Sequence, residues 1–262
     1  MGSKSRWVEL GVGVVLVAVV VLGFGETIKA RSELQCSVVE VETHDRTTRV
    51  KFVTRDRLLD MLRKRHGDPV GHPLLSINTQ EVESMVMSLA PVARCEAYVD
   101  MDGRLRVQVR QREAIAHVLP ERGGAWYIAR DGYIFPALPG YATPVLVVSG
   151  AVRSAPGEGE PQRLNVSGNT FYGELYRFLS AVYADDFWRA QIAQVYVRDT
   201  LNVELVPRVG SQIIALGDLS GYEYKLMKLR SLYESRLSGE GLNGYDRIDL
   251  RYGRQVVCKR KM

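Results

Sequence analysis

Apolar residues crowd the chain between Leu10 and Phe24 (LGVGVVLVAVVVLGF), a run with no charge and no proline. At about 1.5 Å of rise per residue it covers only about 23 Å as a helix, against a hydrocarbon core of about 30 Å. Trp7, Val8 and Gly25 bring it near the needed length. Glu9 then lies in reach of the headgroups, and tryptophan settles at that interface. The pattern predicts a transmembrane helix over residues 7–25. Valine-rich, glycine-containing runs are poor soluble helices, which argues against a buried core helix. A cleaved signal peptide is the other reading, with Gly23-Phe24-Gly25 as a loose small-x-small site. The tail, residues 1–6, carries Lys4, Arg6 and the terminal amine, whereas Glu26, Lys29, Arg31 and Glu33 cancel. The excess of positive charge predicts a cytoplasmic tail and an exported body.

Beyond residue 33 the pattern is that of a soluble fold. Leu34–Glu42 reads as a strand. Thr54 is a helix N-cap, Val53 can staple to Leu58, and Leu58, Leu59, Met61 and Leu62 form the buried stripe. Arg63-Lys64-Arg65 and Gly67 suit the end of that helix. Asn78 and Glu81 make a capping box for a second helix, Ile77 and Val82 a second staple, and Val82, Met85, Val86 and Leu89 its apolar face. Pro91 stops it. Two alternating segments follow, Cys95, Ala97 and Val99 on one and Leu105, Val107 and Val109 on the other, about an Asp102-Gly103 turn. The order over residues 34–112 is β-α-α-β-β.

This order, with Gly71–Asn78 ahead of the second helix, Leu89-Ala90-Pro91-Val92 running into Cys95–Val99, and Leu105–Ala116 as exit strand, resembles a POTRA domain (polypeptide-transport-associated domain). The resemblance implies that the third strand lies between the other two. Cys36 and Cys95 would then sit two strand spacings apart, about 9–10 Å, too far for a bridge. Both read as free, core-facing thiols.

From Ala116 the pattern turns β-rich with two helices. Trp126–Phe135 is a hairpin about Asp131-Gly132, and Pro144–Gly150 a short buried strand. Arg153–Gly168 is one long loop. Asn169 caps a helix striped by Phe171, Leu175, Phe178, Leu179 and Val182. Strands follow over Ile192–Val197, Leu201–Val206 and Ile213–Leu216, then a helix from about Tyr222 to Leu237 burying Leu226, Leu229, Leu232, Tyr233 and Leu237. Tyr245–Arg251 and Gln255–Lys259 close the order.

A membrane helix, a POTRA-like domain over 34–112 and a β-domain over 113–262 together resemble the FtsQ/DivIB family of bacterial cell division proteins. Gln111-Arg112 with Ala114-Ile115-Ala116, the Trp126–Phe135 hairpin, Pro144–Gly150, Asp186-Phe187-Trp188 with Ala190-Gln191-Ile192, and Ile248–Tyr252 with Gln255-Val256-Val257 carry that likeness. The fold class it implies is α+β: one transmembrane helix, the POTRA domain, then a mixed β-sheet domain with two helices.

Composition narrows the function classes. A formal charge of +5 is scattered over the chain, so nucleic-acid binding is not signalled. Cys36, Cys95 and Cys258 show no CxxC spacing, and His66 and His72 have no ligand partner at helical spacing. No metal or cofactor is expected. No nucleophile elbow, phosphate loop, HExxH or dinucleotide fingerprint occurs. Asp185-Asp186, adjacent at a helix end, reads as capping or facing solvent rather than as a catalytic pair, and Asp246 and Asp249 as polar, solvent-facing positions. Three classes remain: a division scaffold, a POTRA-bearing component of protein transport or outer-membrane assembly, and a membrane-tethered envelope enzyme. A barrel needs at least eight alternating strands of roughly ten residues, which the chain after 116 lacks. The scaffold, with no small-molecule substrate, fits best. For the POTRA-like domain two roles stand open: an edge for strand addition, or a rigid spacer.

The last strand is the expected partner site. Gln255-Val256-Val257-Cys258-Lys259 closes the sequence as a sheet edge, with β-propensity at Val256 and Val257. Lys259, Arg260 and Lys261 guard it and favour an acidic partner. The resemblance implies that this edge receives a strand from an FtsB-like protein, itself joined to an FtsL-like one. Tyr252 matches the family's contact tyrosine, while Arg254 and Lys259 match contact positions in register but not in residue type. Arg251 adjoins them. The bland alternative is that the strand only completes the sheet, with Tyr252 packing on Leu250 or the last helix.

Overall fold

The computed structural model describes residues 34–43, 54–100, 102–137, 143–152, 162–165, 170–235 and 242–261. The expected span over 7–25, Val53, Asn169 and Leu237 lie outside these. Among the described residues no helix is long and apolar enough to cross a membrane. The chain divides into two compact units, the first holding most residues up to Arg110 and the second residues 88–93 and everything from Gln111.

In the first unit, β1 (Val38–Thr43), α1 (Arg55–His66), a 3-10 turn (Leu74–Ser76), α2 (Thr79–Met87), β2 (Val92–Val99) and β3 (Arg104–Gln111) follow in order. The sheet order is β1-β3-β2, with β1 parallel to β3, so the third strand is central, as the POTRA resemblance implies. Both expected caps form: Thr54 Oγ1 accepts the Arg57 N–H at 3.4 Å and Asn78 Oδ1 the Glu81 N–H at 3.3 Å. Leu58, Leu62, Val82, Met85, Val86, Leu105, Val107 and Val109 are buried. Gly67 has the positive φ expected after α1, but its ψ of 178° is extended, so the chain leaves straight instead of closing a left-handed cap. The first strand starts at Val38, later than the apolar pattern predicts. Residues 34–37 are instead tied to the 71–74 loop and the hairpin turn, through Cys36 N–H to His72 O (2.9 Å), Leu74 N–H to Leu34 O (2.9 Å) and Ser37 N–H to Gly103 O (2.7 Å). Cys36 and Cys95 are buried and unbridged.

The second unit contains β4 (Ala114–Pro120), β5 (Trp126–Ala129), β6 (Tyr133–Pro136), β7 (Leu146–Gly150), β8 (Gln162–Arg163), α3 (Phe171–Ala184), α4 (Asp186–Gln191), β9 (Ile192–Asp199), β10 (Asn202–Pro207), β11 (Ile213–Gly217), α5 (Tyr222–Ser235), β12 (Tyr245–Asp249) and β13 (Val257–Arg260). Its strands form one sheet in the order β13-β12-β11-β10-β9-β7-β4-β5-β6-β8. One row of side chains crosses seven of its pairings: Trp126, Val118, Val148, Val195, Leu205, Ile214, Ile248 and Cys258. All but Cys258 are buried, in one cluster with Leu175, Phe178 and Leu179 of α3, Trp188 of α4 and Leu226 and Leu229 of α5. Burying each such large side chain contributes about 1.5–3 kcal/mol. The neighbouring row, Leu119, Ser149, Tyr196, Glu204, Ala215, Asp249 and Val257, points to the opposite face, because side chains alternate along a strand.

Several expectations are corrected. The stretch Leu105–Ala116 is two strands: Arg112 donates its N–H to Pro91 O (2.7 Å), Glu113 O accepts from Arg130 N–H (2.8 Å), and β4 starts afresh at Ala114. The guanidinium of Arg112 pairs with Asp131 and lies 3.8 Å over the Tyr133 ring, which fixes the break. The second unit has three described helices, not two. The extra one, α4, spans six residues, too few to show a helical period, and Asp185 caps it by accepting the Phe187 N–H at 2.9 Å. Thr170, rather than Asn169, caps α3, its Oγ1 accepting from Gly173 N–H at 3.2 Å. The expected long loop after Arg153 contributes β8, which pairs with β6.

Candidate partner-binding edge

β13 is the terminal strand of the large sheet and, among the described residues, pairs with β12 alone. Its register is Val257 to Asp249, Cys258 to Ile248, Lys259 to Arg247 and Arg260 to Tyr245, with a bulge on β12 between Tyr245 and Arg247. Lys261 N–H donates to Gly244 O at 3.0 Å, so Lys261 faces β12. Backbone groups alternate sides along an antiparallel strand. The amides of Val257 and Lys259 therefore also face β12, and those of Cys258 and Arg260 point away from it. Side chains alternate separately: Cys258 and Val256 pack against the helix-side cluster, while Val257 is 44% exposed on the opposite face.

The bend between β12 and β13 is built by two charged groups. Arg251 folds back on Asp249, its Nε donating to Oδ1 at 2.9 Å and to Oδ2 at 3.1 Å, and the Arg251 N–H reaches Oδ1 at 3.1 Å. The arginine beside it, chiefly through these hydrogen bonds, holds the Asp249 carboxyl below the usual carboxylate range. Asp249 is therefore buried, contrary to the solvent-facing position expected for it. Asp246 is exposed. Across the bend, Lys228 Nζ of α5 donates to the carbonyls of Leu250 (2.9 Å), Tyr252 and Gln255 (3.4 Å). Burial pushes the Lys228 ammonium below its ordinary value. Two strands inward in the same row, buried Glu204 accepts from Arg247 at 3.0 Å and from Arg198 at 3.1 Å.

Of the residues expected at the site, Val257, Cys258 and Lys259 lie on β13, while Gln255 and Val256 precede it in the bend. Tyr252 is 48% exposed, and Arg254 and Lys259 are exposed. Arg251 has its guanidinium engaged with Asp249 and its stem over Gly217, where an added Cβ would meet Arg251 Cγ at 2.8 Å. Lys228 escaped sequence reasoning, since its partners are main-chain carbonyls more than twenty positions away. Asp185 and Asp186 serve separate ends: Asp185 caps α4 and takes Arg230 at 3.0 Å, and Asp186 pairs with Arg189. Among the described residues no group of three or more His, Cys, Asp or Glu side chains is placed to hold a metal.

The family model described as FtsQ/DivIB, C-terminal related, matches residues 113–259, which include every strand from β4 to β12 and nearly all of β13. The chain belongs to the FtsQ/DivIB family. A POTRA-like domain model matches residues 34–110 of the same chain. No curated protein matches. FtsQ/DivIB membership implies a scaffold role in cell division, and the family is one of membrane proteins of the division site, known for assembly rather than catalysis. In this FtsQ/DivIB chain the matched stretch ends on the free-edge strand.

Proposed function

We propose that this chain is a non-enzymatic division scaffold whose β13 edge receives a strand from an FtsB-like single-pass protein joined to an FtsL-like one. The chain is anchored in the inner membrane by residues 7–25, with residues 1–6 cytoplasmic and the domains over 34–112 and 113–262 in the periplasm at the septum. The apolar run and its charged flanks support that topology. The observation that carries the partner reading is that β13 is an end strand of the sheet, with the backbone of Arg260 turned away from β12. An end strand of this kind can template an incoming strand, whose main-chain hydrogen bonds supply affinity while side-chain pockets supply choice. Lys259, Arg260 and Lys261 favour a strand bearing carboxylates, and exposed Tyr252 offers an aromatic anchor.

The register selects the test. Proline is tolerated on an edge where the lost N–H faces solvent, and harmful where it faces the neighbouring strand. Cys258→Pro and Arg260→Pro each remove an outward donor and should abolish capture of the FtsB-like partner in crosslinked cells while circular dichroism stays native. Val257→Pro, which removes a bond to β12, should damage the fold itself. Wild-type capture by both outward variants rules out strand addition at this edge.

A further inference from the structure

The main chain of the bend before β13 is held from outside by one side chain. Lys228, on α5, aims its ammonium at the carbonyls of Leu250, Tyr252 and Gln255. An ammonium carries three donors and no acceptor, so this set matches its full hydrogen-bonding capacity. Leu250 is fixed at the start of the bend by its own N–H to Ala215 O at 2.9 Å. From Arg251 to Val256 the chain has no regular structure, and Gly253 has nothing within 4 Å of where a Cβ would stand. Lys228 therefore ties both sides of an irregular, solvent-facing turn to a helix whose Leu226 and Leu229 are buried in the core. Tyr224, one turn earlier on α5, lies with its ring centroid 5.3 Å from the same ammonium. Tyr224, Met227 and Tyr252 are all about half exposed around this point.

We infer that Lys228 is the positioning residue of the partner edge: it sets the path of residues 250–255, and with it the placement of Tyr252 and the start of β13, before any partner arrives. The inference rests on the strand-addition reading given above. A segment already ordered loses less conformational freedom on binding, so the same contacts yield a tighter complex. A neutral side chain at 228 leaves three carbonyls to water at the surface. The fold then survives, but the bend samples other paths and the partner must order it.

The test uses the full-length chain in detergent with the purified FtsB-like protein of the same organism as probe. Lys228→Met should leave thermal unfolding near wild type, speed amide exchange over 252–258, and weaken the partner complex about tenfold. Lys228→Arg, which keeps the charge and the donors, should restore most of both. Unchanged exchange over 252–258 in Lys228→Met overturns the assignment, as does wild-type affinity with faster exchange. An arginine variant as defective as methionine also overturns it. Loss of binding in Cys258→Pro alongside wild-type binding in Lys228→Met would sink Lys228 alone. Wild-type binding in both Cys258→Pro and Arg260→Pro removes the strand-addition reading and this inference with it.

Discussion

The carboxylate of Glu83 on α2 accepts the main-chain N–H of Ala97 on β2 at 2.7 Å. β2 is an edge of the three-stranded sheet, and Asp100 N–H is directed at Arg104 O across the hairpin. By alternation, the amides of Val99, Ala97 and Cys95 face away from β3. Glu83 thus fills the middle donor of that free edge with a side chain from its own domain. Natural sheets protect edges by such coverage and by charge.

The first prediction follows from that contact. Glu83→Ala should free the Ala97 amide, speed its hydrogen exchange and lower stability by about 1 kcal/mol, since a charge-assisted bond at a part-buried site is lost. The same carboxylate bears on Cys95, whose thiol is pushed up to about 11 by burial first and then by Glu83 and Glu96. Cys95 in the variant should therefore ionise at lower pH and react faster with a thiol reagent. Unaltered exchange at Ala97 together with unaltered Cys95 reactivity would show that Glu83 does not hold the edge.

Asp249 gives the edge an acid limit. Its folded carboxyl lies below the ordinary 3.8, chiefly because Arg251 hydrogen-bonds the charged form. A depressed carboxyl contributes stability that is complete above its unfolded value and disappears as pH falls through the folded one. Arg251 is half exposed, so water screens the pair and the contribution is about 1 kcal/mol. Asp249→Asn should thus be less stable than wild type at pH 7 in urea titration, with the gap closing below pH 4. A gap that stays constant from pH 7 to pH 3 would count against the pairing.

Gly150 should be among the least replaceable positions of the second unit. Its φ is +100°, and an added Cβ would stand 2.2 Å from Val197 O, the acceptor of the Ala151 N–H at 2.7 Å. Neither backbone nor neighbour can yield without opening the β7–β9 join at the middle of the sheet. Gly150→Ala should cost about 3 kcal/mol or more. Gly124→Ala, at a position with nothing within 4 Å, should be close to neutral in the same thermal melts. Equal melting temperatures for the two would refute this.

What was legible in the sequence was mostly local. Thr54 and Asn78 announce helix starts because a cap is satisfied within three residues, and Asp102-Gly103 and Asp131-Gly132 announce turns for the same reason. The alternation in Leu105, Val107 and Val109 reports a buried face directly. Harder to read was whatever depends on register. That Val257 turns its amide inward, and Cys258 outward, follows only from how β13 pairs with β12. Asp249 was expected in solvent because nothing in its own strand reveals that Arg251 folds back over it. Glu83 and Lys228 spend their charge on main-chain groups, which leave no mark in a side-chain pattern. The edge was therefore placed by sequence, whereas its geometry and its supports came from the structure.

The three parallel joins of the large sheet, β4 with β7, β7 with β9 and β11 with β12, set the tempo of its assembly. Hairpins such as β5–β6 and β9–β10 close short loops and form early, while parallel joins wait for distant segments to meet. β12 reaches β11 only after α5 has crossed over, and among the described residues β13 has no neighbouring strand but β12. During refolding, then, the acceptor strand is among the last parts to be installed, behind a core that is already closed. Pulse-labelled exchange should find β13 amides protected later than those of β9 and β10. A chain caught short of that step would be compact, yet deaf to its partner.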